Sequence, residues 1–325
     1  MTRTLVALLV VLTAVPSTAA ELRTRLQHPS RGLQVRLSPF DIQAGTEREV
    51  CQLIELPNRK EVDFRDLTIA MPAGTEYGSH HFAMFLYSGG DDQLLGREPF
   101  DSAGCAGVGT AFVSPILAFV QRPKQRIRLP KGVGLRLAPK QRLLLNSHYL
   151  NGSGEPLNVD VAVNIKAARH RSIRHHALSF QLGTAAINVP AGTSGSASGA
   201  WVVPFPMNVV WLSTHSHKHT TSVTVRVARG GASPEQQIET RDYTEPSVRR
   251  FARPLRVEPG DRIEWTCNYT NTTTNLVRFG VTAEDEMCFA VGFFYLDDDA
   301  SPLPPVRGCF GAGGGLVCPF SGSAG

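Results

Sequence analysis

In 325 residues the chain has no apolar run of the roughly 18 residues that a membrane-spanning helix requires. The stretch from Leu5 to Val15 is too short for that. It follows a basic start at Arg3 and precedes small residues at Ser17 to Ala20, so residues 1–20 read as a secretory signal peptide cleaved near Ala19 or Ala20. Basic clusters are missing too: 33 lysines and arginines stand against 28 acidic residues and are spread without runs. The formal charge of +5 falls to +4 once Arg3 leaves with the signal, and nucleic acid finds no footprint. No two cysteines are spaced C-x-x-C, which argues against zinc ribbons and thioredoxin-type redox pairs. No apolar periodicity sustains an amphipathic helix beyond about three turns. No Ser-His-Asp or paired-carboxylate arrangement stands out, and there is no repeat of short period.

What the chain does have is alternation. "LNVDVAVNIKA" (157–167), "TSVTVRVA" (221–228) and "LVRFGVTA" (276–283) alternate apolar and polar residues between clusters of Gly, Pro, Asn and Asp. Such runs indicate antiparallel strands, and the expected fold class is all-β. About 300 residues remain after the signal, more than one core usually serves, so two domains are expected. The seam falls in "AARHRSIRHHALSF" (167–180), basic and weakly patterned. It divides the chain into a first β-sandwich (21–168), a second (169–300) and a glycine-rich tail (301–325).

Six cysteines, Cys51, Cys105, Cys267, Cys288, Cys309 and Cys318, all lie in the exported part. An even count in an oxidising compartment, periplasm or cell exterior, favours disulfides. Their pairing is open at this stage, except that a Cys309–Cys318 bridge would pin the tail. Sequons occur at Asn151, Asn268 and Asn271 and matter only in a host that glycosylates.

The ten histidines are unevenly placed. "STHSHKHT" puts His215, His217 and His219 at alternate positions, so in a strand all three project from one side. Positions i and i+2 are about 7 Å apart at Cα and can share a metal ion, whereas i and i+4 rarely can. At most two of the three should do so, and read alone the pattern also fits a solvated polar face. In "YGSHHFAMF", His80 and His81 are adjacent and face opposite ways in a regular strand. They reach one ion only at a strand end, a turn or a bulge, which Gly78 permits. His148 in "LLLNSHYLN" is a single histidine at a strand end, and Met287 in "AEDEMCFAVGFFY" lies between a carboxylate run and an apolar strand. A thioether suits Cu(I) and imidazole suits copper in both oxidation states, so two histidines with one methionine would make a redox-capable copper site. His28, His170, His175 and His176 fit no such pattern.

Taken in order, "SHHFAMFLY", "LPKGVGLRL…LLNSHYLN", "PFPMNVVWLSTHSH" and "DEMC" resemble the ascorbate-dependent type II copper monooxygenases, typified by peptidylglycine α-hydroxylating and dopamine β-monooxygenases. The likeness runs from about Cys51 to Tyr295. It implies two jelly-roll-like antiparallel β-sandwiches in tandem, with one copper in each, facing one another across a solvent-filled cleft. By that resemblance His80, His81 and His148 hold the electron-transfer copper. His215, His217 and Met287 hold the copper at which oxygen binds and a substrate C–H bond is hydroxylated, with ascorbate as donor. Disulfides Cys51–Cys105 and Cys267–Cys288 are implied as well. In the peptide-amidating branch an arginine two residues before the H-x-H pair grips the substrate carboxylate and a tyrosine four after the methionine assists; here Ser213 and Val291 stand there. The substrate is therefore expected to be a small organic molecule other than a glycine-extended peptide. The alternative is an exported copper-binding protein without catalysis.

Overall fold

A computed structural model describes residues 19–297 apart from 88–89, 91, 103–104, 106–114 and 283, together with the backbone of 315–318. The body of the expected signal peptide and Cys309, with its suggested bridge to Cys318, lie outside the described residues. Strands dominate, and among the described residues helix is confined to short 3-10 turns such as Asp92–Leu94 and His170–Ser172. None of the described helices could cross a membrane.

The N-terminal half stacks a seven-stranded sheet on a five-stranded one. In the larger sheet, Leu157–Ala167 pairs with both Gly32–Ile42 and Val62–Ala70. In the smaller, Arg142–Asn151 lies between Thr46–Glu55 and Tyr77–Tyr87, with Ile116–Val120 at one edge. The alternation in "LNVDVAVNIKA" places Val159, Val161, Val163 and Ile165 in the shared core. Ile173–His176, within the expected seam, adds a parallel strand to this half by pairing with Gly132–Leu137. The next strand, Leu178–Thr184, already belongs to the C-terminal half.

That half stacks a five-stranded sheet, centred on Phe289–Tyr295, on a four-stranded one in which Arg262–Thr270 pairs with Ser194–Val202 and Thr220–Ala228. Gly315–Cys318, in the glycine-rich tail, pairs with Leu178–Thr184 as an edge strand. The strands Met207–His215 and Phe289–Tyr295 carry largely apolar runs, "MNVVWL" and "FAVGFF", because both of their faces are buried. Leu212, Ala290 and Phe294 fill the C-terminal core. Trp211, Phe289, Val291 and Phe293 join the N-terminal core instead. The two halves are thus welded by apolar packing where the histidine motifs meet.

Two disulfides, Cys51–Cys105 and Cys267–Cys288, are formed, with Cα–Cα distances of 5.8 and 5.9 Å. They fit an oxidising compartment. Two of the sequon asparagines are structural: Asn151 donates to Ile42, Gln43 and Glu155 carbonyls, and Asn271 to those of Val189, Pro190 and Asn275. Both are buried, whereas Asn268 is exposed.

Candidate metal centre

Along Tyr77–Tyr87, His81 stands opposite His148, but the register then slips so that Tyr149 faces Ser79. His80 is the extra residue of a β-bulge, which lets two consecutive imidazoles turn to one side. The rings of His80, His81 and His148 lie 5.0 to 5.5 Å apart. One nitrogen from each lies within 4.8 Å of the others.

His215 ends its strand, and the alternation expected of the histidine triplet ends with it. The cause is Glu286, just before Met287. Its carboxylate accepts the N–H groups of His217 (3.0 Å), His219 (2.6 Å) and Met287 (3.2 Å) and the Thr220 hydroxyl (3.1 Å). These donors are bonded to a side chain rather than to a neighbouring strand, so residues 216–219 turn out of the sheet. His217 is thereby brought to 5.1 Å from His215, ring to ring. His219, which the spacing leaves over, is buried, and its Nε2 has no partner.

The two sets are not separated by a solvent-filled cleft. The His80 ring is 5.0 Å from that of His217, and the His81 ring 5.8 Å from that of His215. Phe119 lies against both sets, stacked on His81 at 5.4 Å and tilted against His215 at 4.4 Å. Gln121 links the halves, its Oε1 3.4 Å from His215 Nδ1 and its Nε2 donating to the Tyr243 carbonyl at 2.8 Å. The apolar weld between the two sheets holds the imidazoles together.

Nε2 of His80, Nδ1 of His81, Nδ1 of His148 and Nε2 of His217 are buried without a hydrogen-bond partner. Each bare buried group costs roughly 1 to 3 kcal/mol, so four in one cluster point to bound metal that would take up their lone pairs. The opposite nitrogens are held: His81 Nε2 by Asn146 Oδ1 (2.7 Å), His148 Nε2 by Glu47 (3.1 Å) and His217 Nδ1 by the Asp285 carbonyl (3.0 Å). Carboxylate, amide and carbonyl partners of this kind fix the tautomer of a metal-ligating imidazole and aim its free lone pair. Burial, and then the neighbouring imidazoles, push His148 down to about 3 and drive His80 and His215 well below the usual histidine value. Burial also lowers His217, to about 4, partly opposed by the Asp285 carbonyl. Neutral imidazoles are what a metal ion needs. Burial raises Glu49, but the bond and charge of His81, with Asn146, more than offset this and hold its carboxyl below the usual range. Met287 is buried and lines the same cavity as His81 and His215. Imidazoles with one thioether suit copper.

The sequence reading did not single out Glu49, Asn146, Phe119, Gln121 or Glu286. Asn146 had a signal, since it sits two residues before His148 on the same face of its strand. The others reach the site through cross-strand register or the contact between halves.

Residues 202–313 match the family described as copper type II ascorbate-dependent monooxygenase, C-terminal domain. The match supports the family to which the four motifs point. His215, His217 and Met287 lie within the matched segment, while His80, His81 and His148 fall before it. No curated protein matches the chain. Two solved structures overlap much of it: PBCV-1 VP54 fitted into a reconstruction of the virophage Sputnik, and infectious bursal disease virus Gt strain. The first is 8% identical over 84% of this chain and 95% of that one, with a TM-score of 0.24. The second is 11% identical over 86% and 75%, with a TM-score of 0.15. Neither carries an argument.

Proposed function

We propose that the chain is an exported copper monooxygenase that hydroxylates a C–H bond of a small organic substrate, using O2 and a one-electron donor such as ascorbate. The observation that carries this reading is the set of four bare imidazole nitrogens in one buried histidine cluster, in which His81 and His215 share a cavity with Met287. His80, His81 and His148 would hold one copper ion, and His215, His217 and Met287 a second. Bound copper supplies one-electron redox chemistry and the activation of O2.

The chain's own residues do the rest. Burial keeps the imidazoles neutral, and Asn146, Glu47 and the Asp285 carbonyl hold their tautomers. Glu286 ties His217 and Met287 to one carboxylate, so two of the proposed ligands move together. The Cys267–Cys288 bridge anchors the residue beside Met287. Ser213 donates to the Ser247 carbonyl at 2.8 Å, and Val291 lines the cavity, so neither offers a cation to a substrate carboxylate.

The test is oxygen consumption by the copper-loaded protein with ascorbate and a panel of amines and aryl-alkyl or alkyl compounds. Substrate-dependent uptake with a hydroxylated product is expected. Retained copper with no product would favour an exported copper-binding protein without turnover.

A further inference from the structure

A cavity of about 50 Å³, partly open, adjoins the imidazole cluster. His81, His215 and Met287 form part of its lining, and most of the remainder is carbon from Ala83, Phe85, Phe119, Phe289 and Val291. The volume limits what can enter. An apolar cavity of roughly 150 Å³ takes a benzene ring, and this one holds about a third of that. A slender methyl or ethyl end fits without rearrangement and an aromatic ring does not.

Charge narrows the choice further. No lysine or arginine lines the cavity, and its one carboxylate, Glu49, already accepts from Asn146 Nδ2 at 2.9 Å and lies 3.6 Å from His81 Nε2. In the copper-free protein a carboxylate entering here would meet a negative group and no cation. An ammonium would find Glu49 engaged and the exposed wall apolar. Burying either charge unpaired is far costlier than burying a methyl group.

We propose that this cavity takes the uncharged alkyl terminus of the substrate and presents its C–H bonds to the side lined by His215 and Met287. This rests on the copper reading given above. In balance, R–CH3 with O2, two electrons and two protons gives R–CH2OH and water. A C–H bond breaks, a C–O bond forms, one oxygen atom is reduced to water, and a one-electron reductant of the ascorbate class supplies the electrons.

The test uses copper-free protein with 13C-labelled methionine methyl groups, the Met287 resonance being assigned by its loss in Met287→Leu. Titration with 1-butanol should shift that resonance saturably, whereas butyrate and butylammonium should bind at least about tenfold more weakly. Equal or tighter binding of either ion, or no saturable shift with 1-butanol, overturns the proposal. Copper content is measured in parallel: butanol binding without copper retention sinks the metal reading alone, and copper retention without butanol binding sinks this one alone.

Discussion

Asn146 shows how much of the centre depends on residues that touch no metal. Its Oδ1 accepts a hydrogen bond from His81 Nε2, which leaves His81 Nδ1 bare, and its Nδ2 donates to Glu49 at 2.9 Å. Asn146→Ala should weaken copper binding about 10- to 100-fold while the circular dichroism stays that of the wild type. Competitive titration against a chelator checks this, and unchanged affinity would show that His81 needs no orienting partner. The His80–His81 pair and the alternate His215 and His217 stood out by their spacing, whereas the single His148 and Met287 were pointed to only by the family resemblance. Glu49 and Phe119 were not: Glu49 faces His148 across one strand pair, and Phe119 comes from another strand, so only the folded register brings them in.

Short interruptions of regular strands build the site. The bulge at His80 and the strand end at His215 both break the period-2 rule, the first by one inserted residue and the second because Glu286 captures the backbone N–H groups. Spacing foresaw the need for a break at His80 and missed the one after His215, since nothing local announces that a carboxylate 69 positions away will bind His217 N–H. Glu286→Ala should lower stability by about 1 to 3 kcal/mol or more, because several buried donors lose their acceptor. Urea unfolding of the copper-free protein measures it. Cys288→Ser opens a bridge of sequence separation 21 and should cost about 3 kcal/mol. Asn271→Ala should also destabilise, by about 1 to 3 kcal/mol, through three orphaned carbonyls, while exposed Asn268→Ala stays near neutral. If the two asparagine variants melt alike, the buried turn has no structural role.

For the whole molecule, alternation was enough to read the all-β class, but not to show that the two histidine sets touch. The runs "MNVVWL" and "FAVGFF" signal strands buried on both faces, yet a single sequence does not say that the N-terminal half covers one of those faces. Gathering neutral imidazoles in one interior has a pH consequence for the copper-free protein. His148 and His217 protonate near 3 and 4 when folded, against about 6.5 in the unfolded chain. Below about pH 6.5 the unfolded state binds protons that the native state refuses, so stability falls as pH drops toward 4, by up to about 1.4 kcal/mol per unit for each such histidine. Glu286, raised to about 7 by burial, works the other way over part of this range, as one carboxyl against several imidazoles. Melting of the copper-free protein at pH 7.5 and pH 5 should therefore show the lower midpoint at pH 5, with a smaller gap in His217→Ala. Copper, which binds the neutral imidazoles, should raise both midpoints.

The most direct test of the account is the copper content of the purified mature chain beside His80→Ala, His217→Ala and Met287→Ala, each dialysed against micromolar free metal. Two ions per chain in the wild type, falling to about one in either histidine variant and held more weakly in the methionine variant, is the predicted result. No retained copper in the wild type, or histidine variants that keep the wild-type amount, would contradict it.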